Sequence, residues 1–250
     1  MKKTSSKKTG ADRFAQGSKK RIWLIALGIL LILIIISIGM IFVSQVNYYR
    51  GLISRNEELA SLGLVEQLKK NRPQAVSTVG NHYFGAEDPK VTIVKFSDFT
   101  CPYCRNMAGK LRDIALKYPE DVKIIYKDYP VINEEGIDFA LAGRCAGEQA
   151  NMYFWLMHDE LFEKQGAIGP ENLPTVAESL GLDSKRFNGC LADEKYLENI
   201  KADAKEAESL RVQATPTLFM NGYLIPGDLP EEILLQLVKE FINDASIKNQ

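Results

Sequence analysis

The stretch Val91-Thr92-Ile93-Val94-Lys95-Phe96-Ser97-Asp98-Phe99-Thr100-Cys101-Pro102-Tyr103-Cys104 sets an apolar, β-branched run directly before a Cys-x-x-Cys pair. The run from Val91 to Phe96 predicts a buried strand, and the residues from about Cys101 to Lys117 predict a helix. Two thiols at a helix start read as a dithiol/disulfide site. The first lies where unpaired backbone N–H groups and the positive end of the helix dipole favour a thiolate, so Cys101 is the expected nucleophile. Cys104, one turn deeper, is the expected resolving thiol. Pro102 suits the first helical position, where its missing N–H costs nothing. With Tyr103 it is expected to tune the redox potential. The competing reading is half of a zinc knuckle, which needs two further ligands. Cys145, Cys190, His82 and His158 are widely spread and form no second knuckle, so no metal is expected.

The first 21 residues carry Lys2, Lys3, Lys7, Lys8, Arg13, Lys19, Lys20 and Arg21 against one acid, Asp12. Ile22 to Val43 then runs without a charge, long enough to cross a bilayer as a helix. The basic cluster ahead of the span puts residues 1–21 in the cytoplasm and the chain beyond the span outside it. An uncleaved anchor is favoured over a signal peptide, because the run exceeds a usual signal core and Ile41-Phe42-Val43-Ser44-Gln45-Val46 has no small-x-small site. Such a topology matters for the thiols, since disulfides persist outside the cytosol. The formal net charge of −1 averages a basic tail with a more acidic remainder, and gives no support to nucleic-acid binding.

Residues 44–75 read as a helical stalk or linker. Tyr48 and Tyr49 stand at the expected membrane interface, and Leu52, Leu59, Leu62, Val65 and Leu68 follow at helical spacing. A spacer fits these few repeats better than a dimerising coiled coil. Residues 76–250 have the length of one globular domain. Strands are expected at Val91–Phe96, Val122–Tyr126, Thr217–Met220 and near Tyr223–Ile225. A long helical stretch covers about 134–210, and a final helix runs from about Pro230 to Asn243. This order predicts an α/β, thioredoxin-like sheet interrupted by a helical subdomain, preceded by one transmembrane helix.

The dithiol stretch is joined by Arg144-Cys145-Ala146-Gly147-Glu148-Gln149, Phe154-Trp155 and His158-Asp159-Glu160-Leu161-Phe162. Phe187-Asn188-Gly189-Cys190-Leu191 and Ala214-Thr215-Pro216-Thr217-Leu218-Phe219-Met220-Asn221-Gly222 complete the set. From about Gly80 to its C-terminus the chain resembles the DsbA-like thiol:disulfide oxidoreductases, especially membrane-anchored bacterial forms. The resemblance implies that Thr215-Pro216 is a cis-proline turn beside the cysteines, with the Thr215 backbone available to an extended substrate segment. It implies disulfide donation to exported proteins, and reoxidation by a quinone-linked membrane oxidase of a DsbB-like or vitamin K epoxide reductase-like kind. No metal, nucleotide or flavin motif occurs, so no cofactor is expected. Cys-Pro-Tyr-Cys leaves a reductase or isomerase open as the alternative direction. A thioredoxin-fold holdase without redox turnover has no need of two reactive thiols.

Cys145 and Cys190, on separate helical segments, read as a structural disulfide in an oxidising compartment. Two buried thiols or a second redox pair are the alternatives. At Lys95 the chain departs from the family pattern, in which many relatives carry a buried acid. An inward-facing ammonium would favour the thiolate and make a stronger oxidant, whereas one that snorkels to solvent would tune nothing. Asp98 is expected to cap the turn into the catalytic helix, Phe96 to sit in the core, and Phe99 and Tyr103 to rim the site. His158 reads as a packed or surface residue. Lys127-Asp128-Tyr129-Pro130 fits an exposed turn as well as a place near the site.

Overall fold

The structure, a computed structural model, describes residues 28–51, 63–64, 66–68 and 70–243. The basic tail 1–21, the start of the expected span and the stalk residues 52–62, 65 and 69 lie outside the described residues. Helix α1, Gly28–Gly51, is 24 residues long with a mean hydropathy of 2.8, long and apolar enough to cross a membrane. It continues past Val43, the expected end of the span, through Tyr48 and Tyr49. Inside it the Ser37 hydroxyl donates to the Ile34 carbonyl at 2.8 Å, which satisfies a polar group within the helix itself.

The other body carries a five-stranded mixed sheet of order β1-β3-β2-β4-β5, formed by β1 (Tyr83–Gly85), β2 (Val91–Ser97), β3 (Val122–Asp128), β4 (Thr217–Met220) and β5 (Tyr223–Pro226). β2 and β3 are parallel and joined by helix α2 (Pro102–Lys117), while β1, β4 and β5 are each antiparallel to their neighbour. A parallel pair needs a crossover, and α2 supplies it. β1 has no counterpart among the sequence expectations, since three residues give no period to read. It ends at Gly85, whose φ of +103° only glycine adopts readily; a Cβ there would also lie 2.2 Å from the Val122 carbonyl oxygen.

Between β3 and β4 come helices α3 (Glu135–Gly147), α4 (Asn151–Glu163), α5 (Leu173–Ser179), α6 (Ser184–Ala192) and α7 (Leu197–Ser209), and α8 (Glu231–Asn243) closes the chain. One face of the sheet packs Val91, Ile93, Leu218 and Met220 against Leu111 and Ile114 of α2 and Leu234, Leu237 and Phe241 of α8. The other face packs Val94, Phe96, Ile125 and Phe219 against Ala207 of α7 and Leu210 and Val212 beyond it. Because both faces are covered, β2 is apolar at successive positions rather than alternating. Leu64 and Leu68 also pack on the first face.

Candidate functional site: a buried dithiol at a helix start

Cys101 is the N-cap of α2, with Pro102 at its first helical position. The Cys101 carbonyl already accepts from the Cys104 N–H at 3.0 Å and the Arg105 N–H at 3.2 Å. Its sulfur therefore stands against the free N–H groups of the first turn. Both thiols are free and buried, at 2% and 0% exposure. Cys101 Sγ lies 3.2 Å from the Thr215 carbonyl oxygen, beside the cis Thr215–Pro216 peptide. The sequence-predicted residues Cys101, Pro102, Tyr103, Cys104, Thr215 and Pro216 are thus neighbours at one end of the sheet.

The two sulfurs are held in opposite states. Cys101 is lowered to about 5, first by the hydrogen bond from the Cys104 thiol and further by Thr215 and by the backbone N–H groups of Tyr103 and Cys104, against the opposing effect of burial. The Thr215 hydroxyl contributes by proximity, since its Oγ1 has no hydrogen-bond partner of ordinary geometry. Cys104 is pushed far above the usual thiol range, by burial first and then by the proton it shares toward Cys101. At neutral pH the site is a thiolate at Cys101 over a protonated Cys104.

Lys95 points inward beneath Cys104. It is 2% exposed, and its Nζ donates to the Cys104 carbonyl at 3.1 Å and lies 4.7 Å from the Phe162 ring centroid. The side chain does not snorkel to solvent: Phe162 and Tyr126 close over it. Burial lowers it to about 8, against the attraction of Cys104, Cys101 and Asp159.

The structure places the remaining residues that the sequence singles out. Asp98 caps the turn that leads into α2: its carboxylate accepts from the Thr100 N–H and hydroxyl, and also from the N–H groups of Val131 and Ile132, which ties two loops together beside the site. Phe99 is buried against Tyr126 and Phe162, so Tyr103, 62% exposed, is the aromatic left at the rim. His158 is buried among Phe99, Tyr126, Trp155 and Phe162. Lys127 and Asp128 belong to no exposed turn: both are buried at the end of β3, where Arg144 binds Asp128 and Asp203, and Lys127 binds Asp203 and Glu206. These partners are up to 79 residues away in sequence, so no local signal connects them. Cys145 and Cys190 are joined by a disulfide between α3 and α6, and so neither is a thiolate ligand for a metal at Cys101 and Cys104.

Two recesses flank Cys101. One, of about 500 Å³, is lined by Tyr103, Val212, Thr215, Pro216 and Leu224. The other, of about 270 Å³, lies on the helical side and is lined by Phe99, Pro102, Phe139, Leu161 and Ile168, with Gln165 donating to the Phe99 and Cys101 carbonyls.

The chain is similar to several known proteins. A family model described as Thioredoxin matches residues 77–240. The Na(+)/H(+) antiporter NhaA 3 of Salinispora tropica is 34% identical over 170 residues, which cover 67% of this chain and 26% of that protein. The chain spans about a quarter of the length of the curated relatives it matches. Among solved structures, oxidised BdbD of Bacillus subtilis aligns with a TM-score of 0.62 at 23% identity, over 69% of this chain and 98% of that one. DsbA2 of Pseudomonas aeruginosa aligns with a TM-score of 0.56 at 27% identity, over 69% and 99%. With the family model spanning the sheet, the helical layer and the dithiol, the chain belongs to the thioredoxin family, and its fold is similar to those of DsbA2 and BdbD.

Proposed function

We propose that this protein is a membrane-tethered oxidase that gives its Cys101–Cys104 disulfide to exported proteins. The observation that carries the direction is the polarity of the pair: a Cys101 thiolate stabilised well below the usual thiol range over a protonated Cys104. Whatever stabilises the reduced form makes the disulfide the stronger oxidant. A substrate thiolate attacks Cys101 Sγ, the bond to Cys104 breaks, and Cys104 leaves with the electron pair and takes up a proton. A second substrate thiolate then attacks the substrate sulfur of the mixed disulfide, and Cys101 departs as its stable thiolate. The substrate leaves oxidised by two electrons.

The Thr215 backbone beside Cys101 suits an extended substrate segment, with the recess at Tyr103, Pro216 and Leu224 taking its apolar side chains. The reduced enzyme needs a disulfide-bearing partner to restore it, and a quinone-linked membrane oxidase, DsbB-like or vitamin K epoxide reductase-like, is the partner this reading names. The basic residues 1–21 ahead of α1 favour a cytoplasmic N-terminus and an outward-facing catalytic domain.

Equilibration of the full chain with glutathione buffers tests the direction. An oxidase gives a potential above about −180 mV, whereas a value near the thioredoxin figure of about −270 mV makes it a reductase. Labelling Cys101 in reduced, intact cells with a membrane-impermeant maleimide tests the orientation, and protection from the reagent would overturn it.

A further inference from the structure

The recess of about 270 Å³ on the helical side of Cys101 combines apolar walls with polar groups of a single kind. Phe99, Pro102, Phe139, Leu161 and Ile168 give it surface for a hydrocarbon stem. The Thr100 hydroxyl, also in the lining, donates its proton to Asp98 at 2.7 Å. Gln165 Nε2 donates to the Phe99 carbonyl at 2.6 Å and to the Cys101 carbonyl at 3.1 Å, so both of its amide hydrogens are engaged. The reverse orientation would set the Gln165 oxygen against two carbonyl oxygens, so the network fixes which atom is which. What Thr100 and Gln165 have left are acceptor lone pairs. Glu135, exposed in the same lining, adds a carboxylate that makes no ion pair among the described residues. Asn133, whose oxygen accepts from the Gly136 N–H at 3.2 Å, is the one lining side chain with donor hydrogens left over. The cations at the start of α2 and the end of α4 are engaged elsewhere: Arg105 donates to the Glu163 carbonyl, and Lys164 pairs with Glu160.

Apolar walls with acceptors and a carboxylate fit a ligand that brings an aliphatic stem and a head made only of donors. Lysine and arginine are the side chains with that chemistry. We infer that this recess is a subsite for a lysine or arginine beside the reactive cysteine of the exported substrate, with Glu135 as its charge partner and Gln165 and Thr100 as further acceptors. The subsite rests on the exchange reading above and adds to it a preference for cysteines with a basic neighbour. Its position suits this, because Thr100 and Pro102 are the chain neighbours of Cys101 and Gln165 is bonded to the Cys101 carbonyl. A side chain seated there lies beside the sulfur under attack. The recess on the Thr215 side is different: Arg211 is among its lining residues, and its one carboxylate, Asp228, is paired with Lys110. Glu135 in the first turn of α3 also suits the helix dipole, but that role alone sets no order among substrates.

The test uses the full chain in detergent and otherwise uncharged dithiol peptides whose two cysteines are flanked identically by arginine, norleucine or glutamate, on each side in turn. Oxidation of each peptide by the disulfide form, and reduction of its disulfide by the dithiol form, are followed by acid quench and mass spectrometry. Every rate is divided by that of the same peptide with hydroxyethyl disulfide or mercaptoethanol, uncharged reagents that remove the effect of the flanking charge on the peptide's own thiol. On one side of the cysteine arginine is expected to exceed norleucine by about 5- to 10-fold, the size of a partly exposed ion pair with its hydrogen bonds, and glutamate to fall below both. Glu135→Lys inverts the order so that glutamate leads, which general damage to the fold does not do. Glu134→Lys makes the same change of charge one residue away, outside the recess, and keeps arginine first. An inversion there as well reduces the preference to a long-range field and overturns the subsite. Rates within twofold of one another for the three flanking residues overturn it outright. A chain that reduces these peptides without oxidising them overturns the oxidase direction, and the order of side chains in the reducing direction still decides the subsite. No exchange in either direction overturns both.

Discussion

Lys95 is a charge held where charge is costly. Its folded-state value of about 8 against the ordinary 10.5 means that between these pH values the unfolded chain holds a proton the folded chain has released. Stability therefore rises with pH across that window, and below pH 8 the full cost is present, about 3 kcal/mol. Lys95→Met is expected to raise the denaturation midpoint at pH 7 by that order and to lose the advantage by pH 10.5, read from urea melts at both pH values. The same substitution removes an attraction on the Cys104 and Cys101 sulfurs, so the couple becomes less oxidising, on the order of 30 mV for one pKa unit. An unchanged potential would reduce Lys95 to a structural cost without a redox role. The inward aim of this side chain was not legible in the sequence: β2 is buried on both faces, so the pattern around Lys95 carries no phase. Asp128 was hidden for a related reason. β3 runs two residues beyond its apolar core, and the charges that make a buried Lys127-Asp128 tolerable come from α3 and α7.

At the scale of elements, α2 and the β2–β3 crossover could be read directly, because helix-start chemistry and apolar runs are local properties. The α3–α7 region reads from sequence as one helical stretch, whereas the structure divides it at Glu148–Ala150, at the Gly166–Asn172 segment, at Gly181–Asp183 and at Asp193–Tyr196. Gly166 and Gly181 take φ of +78° at two of these breaks, which ends a helix without the Cβ clash another residue would meet. Which faces of these helices meet is a tertiary outcome that periodicity does not contain. The Cys145–Cys190 bridge joins α3 to α6 over 45 residues of chain. Closing a loop of that length in the unfolded state removes about 4 kcal/mol of its conformational freedom. Cys145→Ala with Cys190→Ala is expected to lower stability by about 2–4 kcal/mol while Cys101 still reacts with oxidised glutathione at the parental rate. A loss of exchange at full stability would instead make the bridge a second redox pair.

For the whole molecule, the buried groups give each redox state its own response to acid. Burial lowers His158 and His82 to about 4 from 6.5, so the unfolded chain binds protons first and stability is lost as pH falls from 6.5 toward 4. Asp128, raised from 3.8 to about 6, works in the opposite sense across an overlapping window, since the folded chain takes up its proton first. These contributions are common to the dithiol and disulfide forms and cancel when the two are compared. The Cys101 thiolate does not cancel. Its folded value of about 5 against an ordinary 9 gives the reduced protein a stabilisation that is complete above pH 9 and lost as pH falls through 5, and the disulfide form has no titrating sulfur there. The reduced protein is therefore expected to melt above the oxidised one at pH 7, with the gap narrowing steadily to pH 5. Calorimetry of both forms at matched pH reads this gap directly. An oxidised form that melts higher at pH 7 would contradict a stabilised thiolate, and with it the oxidising direction of the couple.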